Sequence, residues 1–228
     1  MKLSVILPAR NEEGLIEETI SNISSYLGKK EYPFEIIVVI NGCIDQTEGI
    51  VRDFAKRNSQ VKVFKTKPGY GLALRKGLNE AKGDYIALFN VDFYDFHLID
   101  LIEIGLCGKD LIIGSKRTFW SEDKRPFFRR LISAFFNLYL KVTYGFKGSD
   151  THGIKIVKMR VIRTILPKCK ITSGIFDTEF VIRTQRANFS IADFPVSVIE
   201  KRPTRFKKRL IETPHDLLKL RRFLNRND

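Results

Sequence analysis

Apolar residues recur with two different spacings in the first half of the chain, and the two spacings alternate. Five short runs are apolar on both faces and have the length of buried strands: Leu3–Leu7, Glu35–Ile40, Val61–Phe64, Asp84–Phe89 and Asp110–Ile113. Three longer stretches between them have helical periodicity: Glu13–Leu27, Gln46–Arg57 and Leu72–Ala81. Strands that are apolar on both faces predict an α/β fold, with a mostly parallel central sheet flanked by helices.

The alternation weakens after residue 115. We predict an amphipathic insertion over 116–147, which carries a helix from about Phe128 to Thr143. The elements predicted after it are a strand, two helices and one or two strands interrupted at Pro195: Thr151–Val157, Lys158–Leu166, Asp177–Ala187 and Ser190–Glu200. Because there is no internal repeat or low-complexity linker, we predict one domain over 1–207 and a basic amphipathic helix over 208–228.

Polar residues follow four of the predicted strands. They are Pro8 to Glu13, Asn41 to Asp45, Asn90 to Asp92 and Gly114 to Arg117. In parallel sheets, ligands bind at the carboxyl ends of the strands, where the loops leave the sheet. We therefore expect these four segments to converge on one edge and form the binding site.

The net positive charge of the chain indicates an anionic partner. The 228 residues include 40 Lys and Arg but only 26 Asp and Glu, a net charge of +14, and 43% are hydrophobic, which excludes wholesale disorder. Segments 116–147 and 200–228 each carry a net charge of about +6, and the first interleaves aromatic with basic residues. In the second, Leu217, Leu220 and Leu224 share one helical face. Basic amphipathic segments bind anionic membrane surfaces, although a solvated face explains either segment alone equally well.

The cysteine content and the lack of long apolar stretches indicate the cellular compartment. Three scattered cysteines exclude a disulfide framework and a zinc-type cluster, and they suit a reducing cytosol. No stretch of eighteen residues is apolar and uncharged, and the first residues read as a strand and not as a signal peptide. We therefore expect a cytoplasmic protein, peripheral on the inner face of the membrane.

Two local patterns are candidates for phosphate and metal chemistry. Asn90 and Asp92 place two oxygen-bearing side chains at i and i+2 on a strand tip, which suits one hard divalent cation bridging to phosphates. The alternative is a turn in which both side chains only cap the backbone. The glycine-punctuated stretch from Lys67 to Arg75 runs into a helix, so its amides and Arg75 could meet phosphate, or it could be an ordinary loop.

Taken in order, these motifs resemble glycosyltransferase family 2, whose nucleotide-sugar-binding fold is called GT-A, and most of all the polyprenyl- or dolichyl-phosphate mannose and glucose synthases. The matching segments are Val5–Glu13, Ile36–Thr47, Gly71–Gly77, Ala81–Asp92, Gly114–Arg117, Thr151–Lys155, Phe176–Glu179 and Phe194–Val196. Asn90-Val91-Asp92 stands at the family's Asp-x-Asp, and Ile40-Asn41 at its acidic pair. The likeness covers roughly residues 3 to 207.

The resemblance implies a donor site at the first strand ends. It places four residues around the nucleotide, with Asn41 near the base: Pro8, Arg10, Glu12 and Asn41. It implies that Asp92, with Asn90, holds Mg²⁺ or Mn²⁺ on the diphosphate.

The resemblance also implies roles for residues later in the chain. Arg117 would lie near an acceptor phosphate, and Asp177 and Glu179 beneath the sugar or acceptor. Arg202 and Lys207 would close over the phosphates.

The resemblance thus implies an inverting, metal-dependent transfer of a hexose from a GDP- or UDP-sugar to a polyprenyl phosphate at a membrane surface, with no nucleic acid as partner. One alternative is transfer to a soluble sugar hydroxyl, which needs a carboxylate base such as Asp177 or Glu179. The other is a catalytically degenerate basic module on the same fold that binds RNA or membrane. Nucleotide-dependent stabilisation separates the enzymes from that module.

Overall fold

The protein is described from a computed structural model, which covers residues 1–118, 127–197 and 216–224. Seven strands form one sheet in the spatial order β3-β2-β1-β4-β6-β5-β7. Their bounds are β1 Leu3–Ala9, β2 Phe34–Asn41, β3 Val61–Thr66, β4 Tyr85–Leu88, β5 Leu111–Ser115, β6 Lys155–Lys158 and β7 Ile191–Pro195.

Helices cover both faces of this sheet. Their bounds are α1 Ile16–Leu27, α2 Thr47–Arg57, α3 Tyr70–Glu80, α4 Phe96–Glu103, α5 Phe127–Tyr144, α6 Met159–Ile165, α7 Phe176–Arg186 and α8 216–224. Short 3-10 turns follow α4 and α6. The prediction of an α/β fold with helices flanking a central sheet is confirmed.

Strand direction decides where the loops meet. β1 pairs in parallel with β2 and β4, β2 with β3, and β5 with β7, whereas β6 is antiparallel to both of its neighbours. The carboxyl ends of six strands and the amino end of β6 therefore lie at one edge of the sheet, called here the carboxyl edge.

Side chains of β1 show why its run is apolar on both faces. Ile6 packs into a cluster with Leu74 of α3 and Phe180 of α7, while Leu7 faces the opposite cluster with Ile20 of α1. All five residues are almost completely buried. Burial of both sheet faces under helices is what favours a run without polar alternation.

Three features differ from the predicted elements. Helix α4 was not predicted, although Asp95 caps it by accepting a hydrogen bond from the His97 N–H. The strand predicted from Thr151 begins only at Lys155, and 151–154 form a loop at the carboxyl edge. The segment 116–147 contains α5 as predicted, while its residues 119–126 lie outside the described part of the chain.

The terminal helix needs a correction. Its apolar face was predicted to lie on lipid, but Leu220 and Leu224 are fully buried in the protein core. Arg183 and Arg186 of α7 donate hydrogen bonds to the carbonyls of Phe223 and Leu224 at 2.7 and 2.8 Å. Within 216–224, the apolar face of α8 is therefore used for docking onto α7; 208–215 and 225–228 lie outside the described residues.

Candidate active site

The loops that follow β1 and β2 are tied together by hydrogen bonds. The Ile44 N–H donates to Asn11 Oδ1 at 3.0 Å, and the Glu12 N–H donates to Thr47 Oγ1 at 2.7 Å. Asn11 adopts φ 56°, a left-handed conformation that asparagine tolerates better than most residues. Glu12 is buried and Arg10 is exposed. These two loops form one continuous wall at the carboxyl edge.

Asn41 ends β2 and holds the loop that leads into α3. Its Oδ1 accepts a hydrogen bond from the Gly69 N–H at 2.6 Å, so the side chain shapes this loop. The next residue, Gly42, adopts φ +63°, and a Cβ there would lie 2.5 Å from Pro68 Cγ, so only glycine fits. Pro8, half buried in β1, lies on the neighbouring strand.

The segment after β4 is a two-residue turn that presents Asp92. Asn90 and Phe93 exchange backbone hydrogen bonds at 3.0 and 3.3 Å, which puts Val91 and Asp92 at the tip. Val91 is buried, and its carbonyl accepts a 2.7 Å hydrogen bond from Thr19 Oγ1 of α1. Asp92 itself is partly exposed. Because Val91 is anchored to α1, the position of Asp92 at the tip of the turn is fixed.

This turn fits a divalent cation shared with phosphate. Within the described ranges, no three His, Cys, Asp or Glu side chains cluster closely enough to enclose a metal. Mg²⁺ sites commonly use one or two carboxylates, several waters and substrate phosphate oxygens. One partly exposed carboxylate with the neighbouring amide of Asn90 provides that type of donor set, and leaves the remaining positions to water and diphosphate.

The end of β5 carries the predicted acceptor side of the site. Ser115 Oγ lies 2.7 Å from Ser149 Oγ and accepts from the Arg117 N–H, and the Arg117 side chain is exposed. Lys116 Nζ lies 3.6 Å from Asp150 Oδ2. Burial acts to raise the pKa of Asp150, but the charge of Lys116 and a backbone hydrogen bond outweigh it, so the pKa is lowered and Asp150 is ionised.

Asp177 begins α7 next to a buried lysine. Lys155 Nζ donates to Asp177 Oδ1 at 2.8 Å and to the Gly153 carbonyl at 2.6 Å. The two charged residues are 1% and 2% exposed, so this ion pair is closed off from solvent. The pair lies at the amino end of β6, hence at the carboxyl edge.

Tyr70 connects Asp177 electrostatically with the turn at Asp92. Burial raises the pKa of Tyr70 well above its ordinary value, and the charge of Asp177, a side-chain hydrogen bond to Asp177 and then the charge of Asp92 add to this effect. The hydroxyl therefore stays protonated as a donor. Loss of hydration lowers the pKa of His152 despite the opposing charges of Asp177 and Asp150, so its ring is neutral at pH 7.

Glu179 lies inside the fold, where its carboxylate is already engaged. Its carboxylate is fully buried and accepts hydrogen bonds from the backbone N–H groups of Lys170 and Ile171 and from Arg183 Nε at 2.9 Å. These contacts pin the loop before α7 to the helix. Glu179 supports the site from inside the fold, and its oxygens are already engaged.

Arg75 is likewise displaced from its predicted position. It donates a 2.6 Å hydrogen bond to the Cys169 carbonyl, and it lines a cavity of about 540 Å³ between α3 and α6 with Met159 and Leu166. Met159 follows the carboxyl end of β6, which lies at the edge of the sheet opposite to the strand tips. The contacts of Arg75 are therefore made away from the Asp92 turn.

Two predicted residues, Arg202 and Lys207, lie outside the described residues. Conversely, the sequence reasoning assigned no role to Lys155 or Tyr70. A lysine within the apolar run from Ile154 to Val157 was the available signal, because a buried charge in a strand requires a partner.

An apolar face of α5 is open to solvent. Five large side chains lie along it at helical spacing, with exposed fractions of 38% to 79%: Leu131, Ile132, Phe135, Leu138 and Val142. Residues 127–144 include no acidic residue, and Arg130 and Lys141 are exposed on the same helix. In the described ranges, no helix combines the length and hydropathy needed to cross a bilayer.

Comparisons with known proteins agree with this architecture. The family model for Glycosyl transferase family 2 matches residues 4–163. Glycosyltransferase AglD of Haloferax volcanii is 30% identical over 212 residues, which cover 86% of this chain and 33% of AglD. A dolichyl-phosphate beta-glucosyltransferase of Dictyostelium discoideum is 28% identical over 218 residues, covering 87% of this chain and 66% of the relative. The chain thus spans about one third to two thirds of these relatives' lengths.

Solved structures share the fold at lower identity. Mannosyl-3-phosphoglycerate synthase from Rubrobacter xylanophilus has a TM-score of 0.74 at 17% identity, covering 99% of this chain and 74% of that one. Glucosyl-3-phosphoglycerate synthase from Mycobacterium tuberculosis, in complex with Mn²⁺, UDP-glucose and phosphoglyceric acid, has a TM-score of 0.66 at 19% identity, covering 92% and 76%. With its mostly parallel seven-stranded sheet of GT-A type, the chain belongs to glycosyltransferase family 2.

Proposed function

We propose that the chain is an inverting glycosyltransferase that moves a hexose from a GDP- or UDP-sugar to a polyprenyl phosphate at the cytoplasmic membrane face. One observation carries this proposal: the Asp92 turn, the tied loops after β1 and β2, and the buried Asp177 all lie at the carboxyl edge. Open α/β sheets bind ligands at this edge. The name of the Dictyostelium relative supports a phosphorylated lipid as acceptor.

The donor nucleotide would occupy the wall formed by the first two loops. Pro8 would line it from β1, Arg10 and Glu12 from the loop after β1, and Asn41 would set its floor by holding Gly69. Asp92, with Asn90, would hold Mg²⁺ or Mn²⁺. A bound divalent ion neutralises charge on a diphosphate and stabilises it as a leaving group.

The acceptor would approach from the end of β5. Arg117 is exposed there, and Lys116 lies beside it, so an anionic head group meets positive charge. A phosphate acceptor is already ionised and needs no base to remove a proton, only alignment and charge stabilisation. The engagement of Asp177 with Lys155 agrees with this, since its carboxylate is held in an ion pair.

A lipid acceptor also requires contact with a membrane, for which α5 is suited. Its exposed apolar face would enter the boundary between head groups and acyl chains, and Arg130 and Lys141 would meet anionic lipid. Each basic residue near such a surface contributes roughly 1 kcal/mol of attraction. The charge of 116–147 and its aromatic content support this placement.

A soluble phosphorylated acceptor is the second candidate. The observation in its favour is a structural neighbour, a glucosyl-3-phosphoglycerate synthase in complex with phosphoglyceric acid. Arg117 and Lys116 would bind either kind of phosphate. The two candidates therefore differ in what the phosphate is attached to, a polyprenyl chain or a small soluble molecule.

The experiment offers both acceptors to the same enzyme. The chain is incubated with radiolabelled UDP-glucose or GDP-mannose, Mn²⁺, and either dolichyl phosphate in anionic vesicles or phosphoglyceric acid. Label in the extracted lipid supports the first proposal, and label only in a water-soluble phosphorylated product supports the second. No transfer to either acceptor from either donor contradicts the proposed function.

Membrane contact through α5 is tested separately by vesicle flotation. Phe135→Asp and Leu138→Asp should each reduce binding to anionic vesicles several-fold. Ile104→Asp is the matched control, because Ile104 is similarly exposed at 65% but follows α4. Equal loss of vesicle binding in all three variants, or no loss in any of them, would contradict membrane contact through α5.

A further inference from the structure

Helix α5 has a buried inner face, opposite to the exposed apolar face that carries Phe135 and Leu138. Leu140 and Tyr144 on the inner face belong to the core cluster that α3 and α7 also line. Asn137 lies on the same inner face, one turn before Leu140, and is only 7% exposed. A buried amide costs free energy unless it is hydrogen-bonded, so the partner of Asn137 indicates what this side chain holds in place.

Asn137 connects α5 with the loop that precedes β6. Its Nδ2 donates a 2.6 Å hydrogen bond to the carbonyl of Ser149. The preceding residue, Phe136, packs edge-on against the ring of His152, with the ring centroids 5.7 Å apart. Two adjacent residues of α5 therefore contact both ends of the segment 149–152, which leads into β6 at the carboxyl edge.

Ser149 in turn contacts the end of β5. Its Oγ lies 2.7 Å from the Oγ of Ser115, which also accepts a hydrogen bond from the Arg117 N–H at 3.1 Å. The Ser149 N–H donates to Asp193 Oδ2 of β7 at 2.8 Å. The backbone of Ser149 is thus held from two sides, by Asn137 and Asp193, while its hydroxyl contacts the residue that holds the backbone of Arg117.

Asp150 extends this arrangement to the second basic residue at the end of β5. Its Oδ1 accepts a hydrogen bond from the His152 N–H at 2.9 Å, and its Oδ2 lies 3.6 Å from Lys116 Nζ. Asp150 is 8% exposed, and a buried carboxylate requires a counter-charge, which Lys116 provides. The position of the segment 149–152 therefore bears on both cations that would meet the acceptor phosphate, Lys116 and Arg117.

We propose that Asn137 is a positioning residue for the acceptor phosphate: by holding the Ser149 carbonyl, it fixes the loop that places Lys116 and Arg117. This inference rests on the proposed function, because it requires a phosphorylated acceptor at the end of β5. It gives the two faces of α5 separate tasks. The outer face would contact the membrane, and the inner face aligns the basic residues, so that both lie at a constant distance from the lipid surface.

Asn137→Leu tests this role, because it removes the donor and keeps a side chain of similar size. The transfer assay is run with the donor and the acceptor that the wild type uses, dolichyl phosphate or phosphoglyceric acid, at varied acceptor concentration. The KM for the acceptor should rise about tenfold, since a buried hydrogen bond that orders the loop is lost, while kcat changes less than about threefold.

Two further measurements separate positioning from a general loss of structure. The affinity of Asn137→Leu for the nucleotide sugar with Mn²⁺, measured by calorimetry, should stay within about twofold of the wild type, because the donor wall is formed by other loops. Its binding to anionic vesicles should be unchanged, because the outer face of α5 is unaltered. A purely structural role would instead weaken donor and acceptor binding together.

Gln185→Leu is the matched control. The Gln185 side chain of α7 also holds the connection between α5 and β6, since it donates to the Gly145 carbonyl at 2.9 Å and accepts from the Lys147 N–H at 2.7 Å. It makes neither of these contacts with Ser149. The acceptor KM of Gln185→Leu should therefore stay within about twofold of the wild type.

Ser149→Ala protects the test against misfolding of Asn137→Leu. It removes the hydroxyl that meets Ser115 and keeps the carbonyl that Asn137 holds, so the acceptor KM should rise by a smaller factor, about threefold. An unchanged acceptor KM in Asn137→Leu, or in Ser149→Ala if only that variant folds, would overturn the inference. An equal rise in Gln185→Leu, or a parallel loss of donor affinity, would also overturn it. Failure of the wild type to transfer to either acceptor would instead overturn the proposed function, and the inference with it.

Discussion

Thr19 of α1 donates a 2.7 Å hydrogen bond to the carbonyl of Val91, the residue that precedes Asp92. Both partners are buried, so the bond connects the core of the fold directly with the tip of the turn. The predicted metal ligand is therefore positioned by a helix that is distant in sequence. Substitution of Thr19 should affect both stability and the turn.

Thr19→Val removes the hydroxyl and keeps the shape of the side chain. The Val91 carbonyl then loses its buried donor, and we expect a loss of about 1–3 kcal/mol in the free energy of unfolding. Urea titration followed by circular dichroism measures this loss. Thr19→Ser retains the hydroxyl and should lose less. An unchanged urea midpoint in Thr19→Val would contradict the role of this bond.

Gly42→Ala tests the contact between the loops after β2 and β3. The left-handed backbone and the 2.5 Å approach to Pro68 Cγ leave no room for a Cβ, so we expect destabilisation of about 1–3 kcal/mol. Gly49→Ala is the control, because a Cβ at that helical position meets only Gln46 Oε1 at 3.5 Å. It should be neutral or stabilise by roughly 0.5–1 kcal/mol. Equal urea midpoints for the two variants would argue against the steric account.

Glu179→Gln distinguishes a structural acid from a catalytic one. Removing its charge leaves Arg183 buried without a counter-ion, and we expect a loss of about 3–5 kcal/mol in the free energy of unfolding. Glu18→Gln, on the exposed side of α1, should change little. A Glu179→Gln protein that is as stable as the wild type but inactive would restore the catalytic role predicted from sequence.

The lowered pKa of Glu35 predicts that the protein loses stability in acid. Burial alone would raise its pKa, but hydrogen bonds from Lys62, Ser4 and the Lys82 N–H lower the pKa below the ordinary value of 4.5. A carboxyl whose pKa is lowered by folding stabilises the protein above its unfolded pKa, and that stability is lost as the pH falls below 4.5. The free energy of unfolding of the wild type should therefore fall as the pH drops below 4.5.

Glu35→Gln is the variant that isolates this contribution. It should be less stable than the wild type at pH 7, and its urea midpoint should fall less steeply below pH 4.5. Glu31→Gln, which alters an exposed carboxyl nearby, should keep the wild-type slope. Parallel pH profiles for Glu35→Gln and the wild type would show that the pKa of Glu35 is not lowered by folding.

Sequence reasoning predicted the sheet because most of its strands are predominantly apolar runs that are followed by polar residues. The change from Ile40 to Asn41 is an example, since the Ile40 side chain lies in the core and Asn41, the last residue of β2, holds the loop that leads into α3. Helix α4 was missed because its eight residues are too few to establish a helical period, although Asp95 was a capping signal.

Two differences between the sequence-based expectations and the structure have a common physical cause. Amphipathic patterning shows that the face containing Leu220 and Leu224 must be buried, but it cannot distinguish lipid from a neighbouring helix. Similarly, Asp177 and Glu179 are chemically alike and two residues apart. Their different surroundings depend on Lys155 and Arg183, whose positions follow from tertiary packing.

The proposed function requires that the Asp92 turn holds a donor diphosphate together with a divalent ion. Calorimetric titration of UDP and GDP in the presence and absence of Mn²⁺ is the direct test of this requirement. We expect the wild type to bind one of them only with Mn²⁺, and Asp92→Asn to weaken that binding at least about tenfold. Asp53→Asn, which alters an exposed ion pair with Lys56 on α2, should bind as the wild type does. Metal-dependent binding that is equally tight in Asp92→Asn would contradict the central claim.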